Sequence, residues 1–403
     1  MSFVTDHILK NPPVLLGLIA MIGLIVQRKP FAEVVKGSLT AAFGMVALTA
    51  GVNMLTGTIA PINTAVQTQL GVQVADGLSD VTFTAEYGGT VGLAMFFGLI
   101  LHLLIARFTP VKTIFLTDHM LWWFPFVIVA GGVEGGMSGI PLLILGAVLS
   151  ACYWSFMPWI MRKYVWDATG DDSFLIGHPT GILSMVSGFV AKRVGNKEKS
   201  TGDLKVPENL SFFREISITG ALVMFLMNIV VGIIAPVLVP EGGNLVMFAV
   251  QAGLNFGAGL LIMLYGVRLL INQIIPAFQG IAEKVVPGAK PAFDVPILFN
   301  YRPNAVIIGF IVAMITSTIL VIIVNTTNVF GILIVPLVIT SFFECGGAVI
   351  GTIAASFVMV LLVGVSAVLF STTIQNWILI FGGNDLSLWG IIGRGLGSLF
   401  GGI

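Results

Sequence analysis

Charge is scarce in this chain. Only 9% of its 403 residues are charged, against about 25% in an ordinary soluble domain. That shortage excludes a hydrated globular surface, intrinsic disorder and a nucleic-acid-binding face. Nineteen basic residues balance nineteen acidic ones, so net charge points to no partner and only its distribution is informative. Cysteine is scarcer still. Cys152 and Cys345 both lie in apolar stretches without a CxxC spacing, which excludes a disulfide scaffold and a thiolate cage and leaves two buried small hydrophobes. There is no Walker A loop, no HExxH, no GxGxxG behind a strand and no Ser/His/Asp order. ATP hydrolysis is therefore not expected, nor is a metal, a cofactor or a catalytic residue of the chain's own. What abounds is apolar surface: 57% hydrophobic residues and a mean hydropathy of +1.02, with 48 Gly and 18 Pro. This is the composition of a polytopic membrane protein whose helices are closely packed or broken.

A spanning helix needs about 20 apolar residues. Candidate runs fall at 13–27, 37–60, 89–106, 120–133, 137–161, 217–239, 244–267, 304–325, 328–343, 346–370 and 372–383, an all-α chain of about 10–11 transmembrane helices. The first residues (MSFVTDHILKNPP) lack a basic n-region and an A-x-A-like site, so the first run reads as a retained helix. Residues 388–403 carry Arg394 and read as interfacial. Loops around Arg28, Lys29 and Lys36, at Arg107 and Lys112, and at Arg162 and Lys163 are basic; 61–90 holds no Lys or Arg, and 131–137 only Glu134. The positive-inside rule puts the basic loops in the cytoplasm and the N-terminus outside.

The alternation fails twice. Segment 173–191 lies between two basic stretches and is interrupted at His178-Pro179. It is expected to be a re-entrant hairpin or an interfacial helix, followed by a basic cytoplasmic loop over 192–214. Segment 285–303 holds three prolines between 285 and 300, with Asp294 in apolar company, and reads as broken. A shift of 215 positions brings Pro61 onto Pro276, Val91 onto Val306 and Leu93 onto Ile308. The two matched stretches have opposite charge character, acidic in 61–90 and basic in 276–302. The chain then divides into inverted halves, 1–215 and 216–403, an arrangement typical of transporters.

Ionisable groups inside such segments are functional candidates, because burying one costs about 2.5–3.5 kcal/mol. His178, Pro179 and Thr180 form a helix break where backbone groups lie open beside an imidazole. Asp294 offers a carboxylate from the other broken segment. Asp118, His119 and Trp123 are either a membrane-interface belt or a polar-aromatic wall for a polyol. Glu344 stands at a Gly-Gly break; Glu86 and Tyr87 sit at the mouth of a span and are either ligand contacts or ordinary loop residues. His102 reads as a boundary residue.

Beyond single residues, two long blocks carry a likeness. FLIGHPTGILSMVSGFVAKRVGNKEKSTGDLKVPENLSFFRE and PAFQGIAEKVVPGAKPAFDVPILFNYRPNAVIIGF, with KTIFLTDHMLWW, resemble the membrane-embedded IIC component of the ascorbate-type, phosphoenolpyruvate-dependent sugar phosphotransferase system. The resemblance covers about residues 13 to 345. It implies a homodimer in the bacterial inner membrane, with a scaffold part and a core part that carries substrate by an elevator movement. It also implies phosphorylation of the arriving substrate by a separate IIB protein, itself charged by IIA upstream, and substrate contacts from His119, His178 and Asp294. The family pattern has Gln where Pro179 and Trp123 stand here, which turns the expected ligand from ascorbate alone to a carbohydrate, polyol or ascorbate. The alternative is an ion-coupled secondary transporter with Asp294 and Glu344 as carriers and an unmodified substrate.

Overall fold

The computed structural model describes residues 12–69, 80–196, 198–203, 215–284, 286–299, 301–343 and 349–400. It begins with α1 (Pro12–Val26), α2 (Phe31–Gln69) and α3 (Asp80–Phe108), then β1 (Thr113–Phe115), α4 (Asp118–Glu134) and α5 (Gly139–Thr169). β2 (Leu175–Ile176) and α6 (Gly181–Val194) follow. The chain continues with α7 (Ile216–Ile234), α8 (Leu245–Lys284), β3 (Lys290–Phe293), α9 (Pro296–Phe299), α10 (Pro303–Thr326), α11 (Val338–Phe343), α12 (Val349–Leu369), α13 (Gln375–Phe381) and α14 (Asp385–Phe400).

Among the described residues seven helices are long and apolar enough to cross a membrane: α2, α3, α5, α7, α8, α10 and α12. Their outer faces expose large apolar side chains such as Phe43, Leu226, Leu254, Ile315 and Phe357. Water would not tolerate so much exposed hydrocarbon, whereas lipid does. The chain is a multi-pass membrane protein. Two expected spans are corrected. In 328–343 only the last six residues are helical, because the Asn325 side chain captures the extended chain: its Nδ2 donates to the Ile334 carbonyl at 2.8 Å and its Oδ1 accepts the Ile334 N–H at 2.9 Å. In 372–383 the helix is seven residues long. Residues 388–400, expected at the interface, belong to α14, which packs along α4 through Gly131, Gly390 and Gly397.

The two longest helices, α2 and α8, cross antiparallel at glycines. A Cβ on Gly51 would lie 2.6 Å from the Gly259 carbonyl and 2.4 Å from the Met263 nitrogen; one on Gly266 would lie 2.6 Å from the Gly44 carbonyl and 2.3 Å from the Leu48 nitrogen. Gly44 and Gly259, Leu48 and Met263, and Gly51 and Gly266 are each 215 positions apart. The contact is thus self-complementary, as across a twofold axis, with small residues letting the backbones meet.

Each interrupted segment opens on a strand and goes on into a helix, β2 into α6 and β3 into α9. The two strands join Thr113–Phe115 in a small parallel sheet of order β1-β3-β2. Phe115, Ala292 and Leu175 share one row, and the ladder extends through Leu116 N–H to Ala292 O and Gly177 N–H to Phe293 O, both 2.8 Å. Successive strand residues point to opposite faces. Leu116, Phe293 and Ile176 accordingly join the apolar core built with α1, α2, α7 and α8, whereas Phe115, Ala292 and Leu175 join the core of α3, α4, α5 and α12. The sheet stands between the two. Its edges need partners at membrane depth. His102, read from the sequence as a boundary residue, is buried and supplies one: Nε2 accepts the Phe115 N–H at 3.0 Å while Nδ1 is held by Ser155 Oγ at 2.7 Å.

Candidate functional site

Each strand runs parallel, so all three carboxyl ends open on one side, and the chain leaves the ladder there at Thr117, Gly177 and Asp294. Gly177 is dictated by its neighbour, since a Cβ would meet the Phe115 ring at 2.6 Å. One residue later His178 turns toward β3. Its Nε2 lies 3.6 Å from Asp294 Oδ1, with the two side chains 6% and 12% exposed. That is beyond hydrogen-bond length, but close enough for one ligand hydroxyl to engage both groups.

Both partners are held from behind. The Thr180 N–H donates to His178 Nδ1 at 3.3 Å, and Thr180 Oγ1 lies 2.9 Å from the same nitrogen. With Nδ1 accepting, the ring's proton belongs on Nε2, directed at Asp294. Asp294 Oδ1 accepts the Val295 N–H at 2.8 Å. The Phe343 ring covers the imidazole with centroids 5.0 Å apart. An acceptor carboxylate opposite a donor imidazole, walled by a ring, suits a neutral hydroxyl-bearing solute: the hydroxyl donates to one and accepts from the other.

The structure therefore brings together His178, Thr180 and Asp294 from the two broken segments. Pro179 contributes its carbonyl, which accepts the Asp385 N–H at 2.7 Å. His119 lies in the first turn of α4, directly behind β1. Trp123 belongs to an aromatic run in which it meets Phe126 at 5.0 Å and Trp377 at 4.9 Å. Tyr87 stacks on Phe83 at 4.8 Å and so joins the same run through Phe126. Glu86 is exposed. Glu344 lies outside the described residues, directly after Phe343. Among the described residues no three His, Cys, Asp or Glu side chains group as a metal site.

The amino ends of the strands are clamped by charge. Lys290, the first residue of β3, donates to the Asp172 carboxylate at 2.9 Å and to the Asp172 carbonyl, and lies 4.4 Å from the centre of the Trp166 ring. The hydrogen bond and charge of Lys290 hold the Asp172 carboxyl below its ordinary value. Trp166 Nε1 in turn donates to the Phe174 carbonyl at 3.2 Å, beside β2.

Asp385 is the residue beside the site that sequence reasoning missed. It is fully buried, and its oxygens accept the Gly181 and Ile182 N–H groups and the Tyr153 hydroxyl. The signal was present: Asp385 is the one acidic residue after position 344, in an otherwise apolar stretch behind Gly382-Gly383.

Comparison with known proteins agrees with this architecture. An ascorbate-specific PTS system EIIC component of Mycoplasma pneumoniae is 24% identical over 401 residues, which span 85% of this chain and 60% of the relative. The chain thus matches about three-fifths of that relative's length. The model of the family described as PTS system sugar-specific permease component matches residues 7–393. With nearly the whole chain matched, the protein belongs to the family of sugar-specific permease components of the phosphotransferase system.

Proposed function

We propose that the chain is the IIC permease of a phosphotransferase complex, taking up a small carbohydrate, polyol or ascorbate-like solute that a phosphorylated IIB protein modifies on arrival. The observation that carries this reading is the His178–Asp294 pair, 3.6 Å apart between two broken segments. Each group is expensive to bury, and together they offer a donor and an acceptor to one ligand hydroxyl. The phosphoryl donor is a residue of IIB, charged through IIA. Asp294 faces the incoming hydroxyl and can orient it and accept its proton.

The antiparallel Gly51/Gly266 crossing supports two inverted halves, 1–215 and 216–403, with α2 and α8 at the pseudo-twofold axis. A transporter built this way carries its site near the bilayer midplane. The sheet between two apolar cores supports an elevator in which the core around α4, α5 and α12 moves against a scaffold of α1, α2, α7 and α8 in a homodimer. Lys192 and Arg193 close α6 on the side assigned to the cytoplasm, where the basic stretch 192–214 attracts an anionic partner. The assigned location is the bacterial inner membrane, with the N-terminus outside.

Uptake of labelled ascorbate and of neutral hexitols, in cells with and without the general phosphotransfer proteins, tests this reading. Phosphorylated product that disappears with those proteins is the expected result. Undiminished accumulation of unmodified solute refutes it in favour of an ion-coupled carrier.

A further inference from the structure

Helix α6 begins where the substrate loop ends, and its capping is unusual. Thr180 is the N-cap residue, a type that ordinarily closes its own helix by accepting a first-turn N–H. Here it makes no such bond. Its hydroxyl lies 2.9 Å from His178 Nδ1 and donates to the Phe343 carbonyl at 3.4 Å, while its N–H donates to that same nitrogen at 3.3 Å. The orphaned amides are taken by a residue 204 positions away: Asp385 Oδ2 accepts the Gly181 N–H at 3.1 Å and Oδ1 accepts the Ile182 N–H at 2.8 Å. Asp385 also donates its own N–H to Pro179 O. Tyr153, fully buried on α5, closes the circle. Its hydroxyl lies 2.8 Å from Asp385 Oδ2 and 3.0 Å from the His178 carbonyl. Asp385 and Tyr153 thus bond four of the five residues from 178 to 182: His178 and Pro179 at their carbonyls, Gly181 and Ile182 at their N–H groups. Gly181 leaves room for the carboxylate, since a Cβ there would lie 2.7 Å from Oδ2.

We propose that Asp385 and Tyr153 are positioning residues for substrate binding. By capping α6 from outside they release Thr180 to fix the tautomer and direction of His178. This rests on the reading of His178 as a ligand-binding group. The consequence is specific. Without Asp385, Thr180 swings to the local cap, α6 survives, and the imidazole loses its hold.

The test has a readout that needs no ligand. In the purified full chain the ring-nitrogen NMR signals of His178, assigned by loss in His178→Gln, report its tautomer. Wild type gives the Nε2–H form. Tyr153→Phe, which keeps the ring stacked 3.6 Å from Phe124, and Asp385→Asn are expected to give mixed tautomers. They are also expected to weaken binding of whichever probe binds wild type, ascorbate or a neutral hexitol, about tenfold, the scale of one lost hydrogen bond to a charged group, with little change in melting temperature. Unchanged His178 signals in Tyr153→Phe overturn the proposal, as does a fall in melting temperature with unchanged affinity. If His178→Gln itself leaves probe binding intact, the site reading fails, while the tautomer measurement still decides the role of Asp385 and Tyr153.

Discussion

Asp294→Asn is the sharpest perturbation of the candidate site. The amide is isosteric, and its Oδ1 can still accept the Val295 N–H that the carboxylate accepts at 2.8 Å, so the local fold is kept. What disappears is the negative charge facing His178 Nε2 across 3.6 Å. A ligand hydroxyl donating to the carboxylate makes a charge-assisted hydrogen bond, worth about 1.5–3 kcal/mol. At about 1.4 kcal/mol per factor of ten, the dissociation constant rises roughly 10- to 150-fold. Calorimetric titration of purified protein with ascorbate and neutral hexitols measures this directly. His178→Ala removes the opposite partner and is expected to fall in the same range. The double variant loses less than the sum, because one hydroxyl engages both groups. Unchanged affinity in both single variants would refute the reasoning.

Other consequences concern the frame around the site. Gly177→Ala forces a methyl against the Phe115 ring at 2.6 Å; overpacking of this kind costs about 1–3 kcal/mol, seen as a lowered melting temperature that Phe115→Leu restores. His102→Ala strips the Phe115 N–H of its acceptor, and a buried unmet donor costs about 1–3 kcal/mol, measurable by the same melt. Gly51→Leu and Gly266→Leu each meet backbone within 2.4 Å and are expected to reduce folded yield in detergent size-exclusion to a similar extent; a strong effect of only one would contradict the twofold relation. The Asp172–Lys290 clamp holds its carboxyl below the ordinary value. It is therefore present above about pH 4, where an unfolded Asp ionises, and is lost as pH falls through its lowered value. Trp166, against the Lys290 ammonium, should change fluorescence only in that acid range, and Asp172→Asn should abolish the transition.

Much of the site was legible residue by residue. His178 beside Pro179, and Asp294 between apolar neighbours, stand out because a proline breaks a helix and a buried charge needs a reason, and both are local facts. The proposed repeat is only a faint 215-residue shift in the sequence; the self-complementary contacts of Gly44, Gly51, Gly259 and Gly266 are what support it. Asn325, which ends the expected span at 328, looks like any polar residue at a helix end until Ile334 lies beside it. Trp123 was singled out for the wall of the site, and the rings it meets are those of Phe126 and Trp377.

Hydropathy and the spacing of Gly and Pro, each a property of a short window, were enough to determine the membrane setting, most of the long helices and the two breaks that carry His178 and Asp294. Tertiary structure alone decided that those breaks, with Thr113–Phe115, are adjacent parallel strands, and that Asp385 caps a helix from the far end of the chain. Strands of two to four residues are too short to write a period-two pattern, and hydrogen bonds between segments more than fifty residues apart leave no mark on either segment until both are folded.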